Sequence, residues 1–212
     1  MSKITKIEAA KRNKDRVNIY IDGEYVFSCF GEIVYKLNLA RNMEVDTEKL
    51  KEIVFEDEFL RCKNSSLKII ERNFKTEKEI YGKLSEKGYQ EKTIERTLEF
   101  LMEYNLINDE KYSEAFIKDK IKNQGRKKIK YSLLRKGINE DTIEEKLLEI
   151  NDEAEEDACR KLAEKKIKSL IKGESDNFKI SSKLIRFLIS KGYEYEMSLK
   201  VTKELLKINI YD

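Results

Sequence analysis

The amino-acid sequence predicts a mainly α-helical protein in which three tandem three-helix repeats follow a small N-terminal β module. Three observations support this fold class. A similar helical segment, centred on a Lys-Gly step, occurs three times in the chain. The 212 residues contain no proline, the strongest breaker of helices. The alternation of apolar and polar residues that is typical of strands is confined to the first thirty residues.

The first thirty residues predict a small antiparallel sheet. Val17, Ile19 and Ile21 alternate with polar neighbours, and Asp22-Gly23 is a preferred two-residue hairpin turn. The predicted strands are Ile4 to Ala9, Arg16 to Ile21 and Glu24 to Ser28. Such a sheet needs further support, which helices at Phe30 to Asn38 and Asp46 to Glu56 are expected to provide. An N-terminal module is therefore predicted over residues 1–58.

The three repeats are aligned on their glycines, Gly88, Gly137 and Gly192. Apolar residues stand eight and four positions before each glycine, which is the spacing of one buried helical face. They are Ile80 and Leu84, Ile129 and Leu133, and Leu184 and Leu188. Glycine ends the helix because it adopts the left-handed conformation without Cβ strain. The next residue, Tyr89, Ile138 or Tyr193, is expected to make the hydrophobic contact of the cap.

Two further helices complete each repeat. The helix after the glycine has apolar residues at Ile94, Leu98 and Leu101, and at Ile143, Leu147 and Ile150. Ser198 and Thr202 replace the first two of these in the third copy, which is therefore degenerate. An earlier helix is indicated by Leu67 and Ile70, by Tyr112, Ala115 and Phe116, and by Ala158 and Leu162. The repeats are predicted at residues 59–108, 109–152 and 153–212, stacked so that neighbours bury a continuous core.

Polar caps mark several helix starts. Thr76 and Glu79 form a capping-box pattern, and Asn108, Asn139 and Asn151 precede acidic first turns. The cluster Asn108-Asp109-Glu110 has two interpretations, a metal site or a cap with acids that complement the helix dipole. The second is favoured, because acidic residues are common in a first helical turn.

Composition excludes several classes of function. The chain has no histidine, which removes imidazole bases, Ser-His and Cys-His nucleophiles and the commonest zinc ligand. Cys29, Cys62 and Cys159 are widely spaced and are expected to remain reduced thiols. We therefore expect no catalytic residues, no metal and no cofactor. Residues 1–8 lack a signal-peptide core and no apolar run is long enough for a membrane span, so the expected location is the cytoplasm.

Positive charge is concentrated in one stretch although the net charge is only +3. Between Phe116 and Lys136 nine lysines and arginines face one acid, Asp119. This stretch predicts contact with phosphates or with an acidic partner, and the alternative is a solvated helix face. The turn at Gln124-Gly125-Arg126 is also expected to offer backbone amides to an anion.

Basic residues of the first and third repeats are expected to extend this surface. The candidate binding residues are Arg72, Lys75, Lys87, Lys122, Arg126, Lys127, Lys128, Lys130, Arg135, Lys136 and Lys191, with Lys183 and Arg186 as further members. Tyr104, Tyr112 and Tyr131 have two interpretations, stacking on bases or packing in the helical core.

Four sequence blocks resemble the RecX family. They are Arg-Asn-Phe-Lys-Thr-Glu-Lys-Glu-Ile at 72–80, Lys-Gly-Tyr at 87–89, Tyr-Asn-Leu-Ile-Asn-Asp-Glu-Lys-Tyr at 104–112, and Gly-Arg-Lys-Lys-Ile with a later Leu-x-x-Lys-Gly-Ile within 125–138. The order and spacing of the blocks are specific, although no single block is. The likeness extends from about Ile4 to Glu149 and fades over the third copy.

The resemblance implies a bacterial regulator of the RecA recombinase. It implies an elongated, curved array of three-helix modules that lies in the groove of the RecA filament on single-stranded DNA. A protein placed there would limit filament growth or favour disassembly, and so lower strand exchange and ATP hydrolysis. We expect such a protein to act as a monomer, and the resemblance does not tell whether it only inhibits RecA or also assists it.

Two other classes remain as alternatives. Three-helix units with a basic second helix also suit a helix-turn-helix transcriptional regulator of duplex DNA, although such proteins usually carry one recognition helix. The other is a nuclease with carboxylate-bound metal, which the lack of histidine and of a convincing carboxylate cluster disfavours.

Overall fold

The computed structural model describes residues 2–11 and 13–206. These residues form four strands and ten helices. The strands are β1 (Ser2–Ala9), β2 (Arg16–Ile21), β3 (Glu24–Phe30) and β4 (Glu44–Val45). The helices are α1 (Gly31–Lys36), α2 (Thr47–Ile70), α3 (Glu77–Glu86), α4 (Glu91–Glu103), α5 (Asp109–Lys120), α6 (Arg126–Arg135), α7 (Glu140–Leu148), α8 (Asp152–Leu170), α9 (Asn177–Ser190) and α10 (Tyr195–Leu206).

The described residues fall into two compact units that divide between Ile107 and Asn108. The first unit contains the β module and the first repeat, and the second unit contains the second and third repeats. The mainly helical fold class is confirmed. Residues 207–212, which the sequence assigns to the third repeat, lie outside the described residues.

The N-terminal sheet is antiparallel with strand order β3-β2-β1-β4. Asp22 and Gly23 both have positive φ, 52° and 91°, which confirms the predicted hairpin turn. The two-residue strand β4 is a new feature that the sequence pattern does not indicate. The buried core of this module joins strands to helices through Ile4, Ile19, Ile21, Cys29, Ile33, Leu50 and Val54.

Helix α2 corrects one prediction. The sequence predicts a helix that ends near Glu56 and a separate helix with Leu67 and Ile70, but one helix of 24 residues spans both. Asp46 caps its start, and the helix contains no glycine or proline that would end it. Its buried stripe has residues four apart along the whole helix, Leu50, Val54, Glu58, Cys62 and Ser66. The module boundary predicted after residue 58 therefore falls inside a continuous helix.

The repeat pattern is confirmed at its central helices. The apolar residues eight and four positions before each glycine are at most 2% exposed, and they are Ile80, Leu84, Ile129, Leu133, Leu184 and Leu188. Gly88, Gly137 and Gly192 have φ of 82°, 88° and 95°. At these values an L side chain is strained, so glycine is the residue that this helix end requires.

The first helix of the second repeat departs from its predicted face. Ser113 and Ile117 are the buried residues of α5, whereas Ala115 is exposed and Tyr112 and Phe116 are only half-buried. The helix that Tyr112, Ala115 and Phe116 indicate is present, but its buried stripe follows the positions four apart from Ser113. In the degenerate third copy, Ser198 and Thr202 are fully buried and α10 still forms.

The other helix-start predictions are confirmed. Asn108, Asn139 and Asn151 each accept a hydrogen bond from a backbone amide of the first turn.

The three cysteines are free and buried. Among the described residues, no helix combines the length and apolar character that crossing a bilayer requires. Within the same part of the chain, no three histidine, cysteine or acidic side chains form a group that could hold a metal ion.

Candidate basic interface

A concave basic surface lies in the first unit between the C-terminal end of α2 and helix α3. It has a volume of about 470 Å³, and one acid, Glu86, lines it. We call this surface the repeat 1 groove. Its five cations are Lys68, Arg72, Lys75, Lys83 and Lys87, and its other lining residues are Ser65, Ile69 and Asn73.

A capped turn brings α3 back beside α2 and so creates the groove. The Thr76 hydroxyl accepts a hydrogen bond from the Glu79 amide, and the Glu79 carboxylate accepts one from the Thr76 amide. Ile80 and Leu84 hold α3 in the core. Residues on the opposite side of α3 are therefore exposed, and the cations of this helix end lie there.

The charge of the groove is largely uncompensated. Lys75 lies 3.9 Å from the Glu79 carboxylate, and within the described part of the chain the other four cations of the groove form no ion pair. Clustered like charges in a concave surface produce a positive potential that attracts polyanions. Phe74 stands in the same turn, and its side chain is 73% exposed. The turn that borders the groove therefore carries an accessible aromatic ring, although Phe74 itself does not line the groove.

Two further depressions in the first unit continue the groove toward the N-terminal sheet. One shares Ser65 and Lys68 with it and has a volume of about 600 Å³. The other shares Glu86 and Lys87 and has a volume of about 650 Å³. Lys14, from the loop between β1 and β2, lines both. The three depressions therefore share lining residues, but the two nearer the sheet also carry acids, Asp15 and Glu32, so the repeat 1 groove is the most cationic of the three.

The groove unites three residues that the sequence places in the candidate interface, Arg72, Lys75 and Lys87. Two of its cations, Lys68 and Lys83, were not among the predicted residues. A signal for them exists, because Lys68 stands four residues before Arg72 and Lys83 four before Lys87. Residues four apart are neighbours on a helical surface, so Lys83 and Lys87 extend one basic face of α3. Arg72 lies beyond the end of α2, so its position beside Lys68 follows from the turn.

The basic stretch of the second unit is engaged in contacts within its own chain. Arg126 donates to the Ile150 carbonyl at 2.7 Å and to the Asp152 carboxylate at 2.5 Å. Its Nε also lies 3.0 Å from the carboxylate of Glu155, which is almost fully buried. Arg126 therefore connects the start of α6 to α8 and serves the packing of the second and third repeats.

The turn before α6 does not offer its amides to an anion. The Gly125 amide donates to the Lys191 carbonyl at 3.0 Å, and the Lys127 amide donates to the Gly192 carbonyl at 3.2 Å. The Arg126 amide donates to the Glu155 carboxylate at 2.9 Å. The predicted anion site at this turn is therefore wrong, because the third repeat already accepts these hydrogen bonds.

Three lysines of the same stretch also contact their own chain. Lys127 pairs with Glu194 at 2.6 Å, and the Lys128 ammonium donates to the Ser190 carbonyl at 3.3 Å. Lys130 lies between two carboxylates, Glu140 at 2.7 Å and Glu144 at 2.6 Å, and these hydrogen bonds raise its pKa above the ordinary lysine range. The charge of Lys130 is therefore locally compensated.

The remaining candidate cations divide into two groups. Lys136 lies over the rings of Tyr112 and Phe116, and Lys191 lies over the ring of Phe187. Lys122 and Arg135 are exposed, and no described residue forms an ion pair with either. Of the predicted interface in α5 to α6, these two are the cations most available to a partner.

The three tyrosines considered for base stacking differ in accessibility. Tyr104 and Tyr131 are 63% and 68% exposed. Tyr112 is half-buried and packs against Phe116 with ring centroids 6.1 Å apart. A stacking role for Tyr104 and Tyr131 stays a prediction, and Tyr112 is engaged in packing.

The fold and the groove define a class, the helical-repeat proteins that carry a cationic surface and a small N-terminal β module. Family models match in four successive regions of the chain. Regulatory protein RecX N-terminal domain matches residues 2–46, and the first, second and third three-helix domains of RecX match residues 62–101, 108–147 and 153–201.

Relatives agree with this match over nearly the whole chain. The chain is 53% identical over 205 residues to the regulatory protein RecX of Clostridium perfringens (strain 13 / Type A), covering 97% of each protein. It is 48% identical over 212 residues to that of Clostridium beijerinckii, covering all of both. The chain belongs to the RecX family of regulatory proteins.

Solved structures agree as well. The crystal structure of a regulatory protein RecX matches with a TM-score of 0.67 and 28% identity, covering 98% of this chain and 99% of that one. The crystal structure of RecX from Lactobacillus salivarius matches with a TM-score of 0.65 and 26% identity, covering 72% of this chain and 99% of that one.

Proposed function

We propose that this protein binds the RecA filament on single-stranded DNA and limits filament growth or favours disassembly. Strand exchange and ATP hydrolysis by RecA are lowered as a result. The protein acts by binding and catalyses no reaction. It works in the cytoplasm as a monomer, with its repeats following the helical groove of the filament.

The single observation that carries this proposal is the family match. All three repeats and the N-terminal module correspond to RecX domains in the order in which they occur along the chain. The relatives are regulatory proteins by name. The match includes every module, which supports a regulatory role for the whole chain rather than for one domain.

The repeat 1 groove supports binding to a polyanionic assembly. A filament on single-stranded DNA carries regularly spaced phosphates, and four of the five groove cations form no ion pair with a described residue. Lys122 and Arg135 of the second unit provide further exposed positive charge. Cations that are not neutralised within the chain gain most from contact with phosphates.

RecA-catalysed strand exchange between circular single-stranded DNA and linear duplex tests the proposal. Substoichiometric protein is expected to lower the yield of joint molecules on a gel. Addition before or after filament assembly separates an effect on growth from an effect on disassembly. An unchanged yield at equimolar protein would contradict the proposal.

A duplex-binding regulator predicts a different result. Such a protein would select one sequence from a pool of random duplexes, and it would leave RecA unaffected. Selection of a duplex sequence together with normal strand exchange would therefore replace the proposed function with transcriptional regulation.

A further inference from the structure

We propose that the repeat 1 groove binds the sugar-phosphate backbone of a single DNA strand, with a base stacked on Phe74. This assignment rests on the proposed function for its choice of DNA. It states in addition which part of the chain contacts the strand. The contact belongs to the first repeat and not to the basic stretch at the start of α6.

The first step in the argument is the state of the cations. In the α6 segment, Arg126, Lys127 and Lys130 each pair with a carboxylate of the same chain. Moving these cations to phosphates would require breaking those pairs. The four unpaired cations of the repeat 1 groove require no such exchange. The binding of phosphates to the groove is therefore more favourable than their binding to the α6 segment.

The second step is spacing. Lys83 and Lys87 are four residues apart at the end of α3, where Lys87 is the C-cap, whereas Arg72 lies in the turn after α2 has ended at Ile70. Helical residues four apart have Cβ atoms about 6 Å from one another. That distance is comparable to the step between successive phosphates of one strand, so Lys83 and Lys87 can contact neighbouring phosphates, and Lys68 and Arg72 line the same groove from the end of α2 and the turn that follows it.

The third step is the aromatic ring. Phe74 and Phe178 both stand fourteen residues before the glycine of their repeats, and they are 73% and 79% exposed. Beside Phe178, however, Lys179 lies 3.9 Å from Asp176 and Lys183 lies 3.1 Å from Glu174. Each ring therefore has one lysine beside it whose carboxylate partner lies 3.9 Å away, Lys75 or Lys179, but in the first repeat Arg72 of the same turn forms no ion pair with a described residue.

An accessible ring beside free cations favours a single strand over a duplex. Bases of a single strand are available for stacking on an aromatic side chain, whereas paired bases are already stacked on each other. An acidic protein surface would also use the cations and would bury the ring against apolar side chains, and the measurement on DNA without RecA separates these two partners. The combination therefore favours a single strand over a duplex.

The test measures binding of a fluorescein-labelled oligothymidine to the whole protein by anisotropy, without RecA and at several salt concentrations. The groove variant is Lys68→Ala/Arg72→Ala/Lys83→Ala, at three exposed positions. Its control is Lys161→Ala/Lys165→Ala/Lys168→Ala, which removes the same charge from the exposed side of α8. Far-ultraviolet circular dichroism checks that each variant keeps its helices.

The groove variant is expected to bind more weakly, and its log-log salt slope to shrink by roughly 0.7 for each phosphate that the variant no longer neutralises. The α8 variant is expected to bind like the parent. Phe74→Ala is expected to weaken binding about tenfold with the slope unchanged, because it removes stacking and no charge. Phe178→Ala is the matched control and should have no effect.

Three results would overturn the assignment. The first is a groove variant that binds the oligonucleotide like the parent. The second is tighter binding of a duplex of equal length. The third is a parent protein that binds no DNA, combined with a groove variant that no longer affects RecA. The groove would then be a site for RecA itself, and the proposed function would remain supported.

If instead the parent protein binds DNA through the groove but does not affect RecA, the proposed function is contradicted and the assignment of the groove is not.

Discussion

Arg16 and Glu58 form a buried, bidentate ion pair between strand β2 and helix α2. Nη1 donates to Oε1 at 3.0 Å and Nη2 to Oε2 at 3.2 Å, and both side chains are less than 10% exposed. Arg16 also donates to the Gly88 carbonyl at 2.8 Å, and Glu58 accepts from the Gln90 amide at 3.1 Å. One pair therefore joins the sheet to the glycine turn of the first repeat.

The second unit contains a related contact. Glu155 of α8 accepts from the Arg126 amide, and the Gly192 carbonyl accepts from the Lys127 amide. Cysteine follows the buried glutamate by four residues in both cases, at Cys62 and Cys159. In both repeats a carboxylate of the first helix and the carbonyl of the glycine turn accept hydrogen bonds from the preceding module. In the first repeat Arg16 of the sheet donates to Glu58 and Gly88. In the third repeat the backbone amides of Arg126 and Lys127, from the second repeat, donate to Glu155 and Gly192.

Glu58→Ala is expected to lower the free energy of unfolding of the first unit by about 3 kcal/mol, because it leaves the Arg16 charge buried and unpaired. Urea unfolding followed by circular dichroism measures the change. Glu56→Ala, on the same helix, breaks an exposed pair with Arg96 and should cost less than about 1 kcal/mol. Equal costs for the two substitutions would contradict the structural role of the buried pair.

Arg126→Ala is expected to destabilise the second unit by about 2 kcal/mol, since the nearly buried Glu155 carboxylate is left without its charged partner. Lys127→Ala removes an exposed pair with Glu194 and should cost less than about 1 kcal/mol. Both are measured by urea unfolding. If Arg126→Ala were as mild as its neighbour, Arg126 would be available as a binding residue after all.

Gly192→Ala tests the glycine turn of the third repeat. An added Cβ would overlap the backbone nitrogen and Cβ of Lys128 and would also be strained at φ of 95°. We expect a cost of about 3 kcal/mol or more. Gly23→Ala has comparable strain at φ of 91° but open space around it, so it should cost about 1–2 kcal/mol. The midpoint temperature of thermal unfolding of the Gly192 variant should be well below that of the Gly23 variant. A higher midpoint for the Gly192 variant would contradict the close contact of Lys128 in α6 with the glycine turn after α9.

The buried thiols are expected to be unreactive in the folded protein. Burial raises the pKa of Cys62 to about 11 and that of Cys159 to about 12. At pH 8 Ellman's reagent should react slowly with native protein and quickly in urea, since the thiolate is the reactive form. The raised pKa values also mean that the thiols' contribution to stability is intact below about pH 8.5 and is lost as the pH rises toward 11–12. Rapid modification of the native protein would contradict this burial.

The repeat architecture was predictable because it depends on local periodicity. The apolar pairs such as Ile80 and Leu84, together with the glycine that follows, specify a buried helical face and its end. The continuity of α2 was not predictable in the same way. Its buried stripe continues from Leu50 and Val54 through Glu58, Cys62 and Ser66, and the polar Glu58 and Ser66 make the second half of this face hard to recognise in the sequence.

The interface was predictable only in part. Charge density along the sequence identifies the stretch around Arg126. It does not show that Arg126 already pairs with Glu155, 29 residues later in the chain. Arg72 and Lys87 looked like minor members of the basic surface. The packing of α3 beside α2 places them in one groove with Lys68 and Lys83, which the sequence does not show.

RecA ATP hydrolysis on single-stranded DNA, with and without this protein, tests the central claim most directly. Substoichiometric protein is expected to slow hydrolysis, because shorter filaments contain fewer active RecA subunits. The α8 variant Lys161→Ala/Lys165→Ala/Lys168→Ala should slow it as the parent does. An unchanged rate of hydrolysis at equimolar protein would contradict the account of this chain as a regulator of the RecA filament.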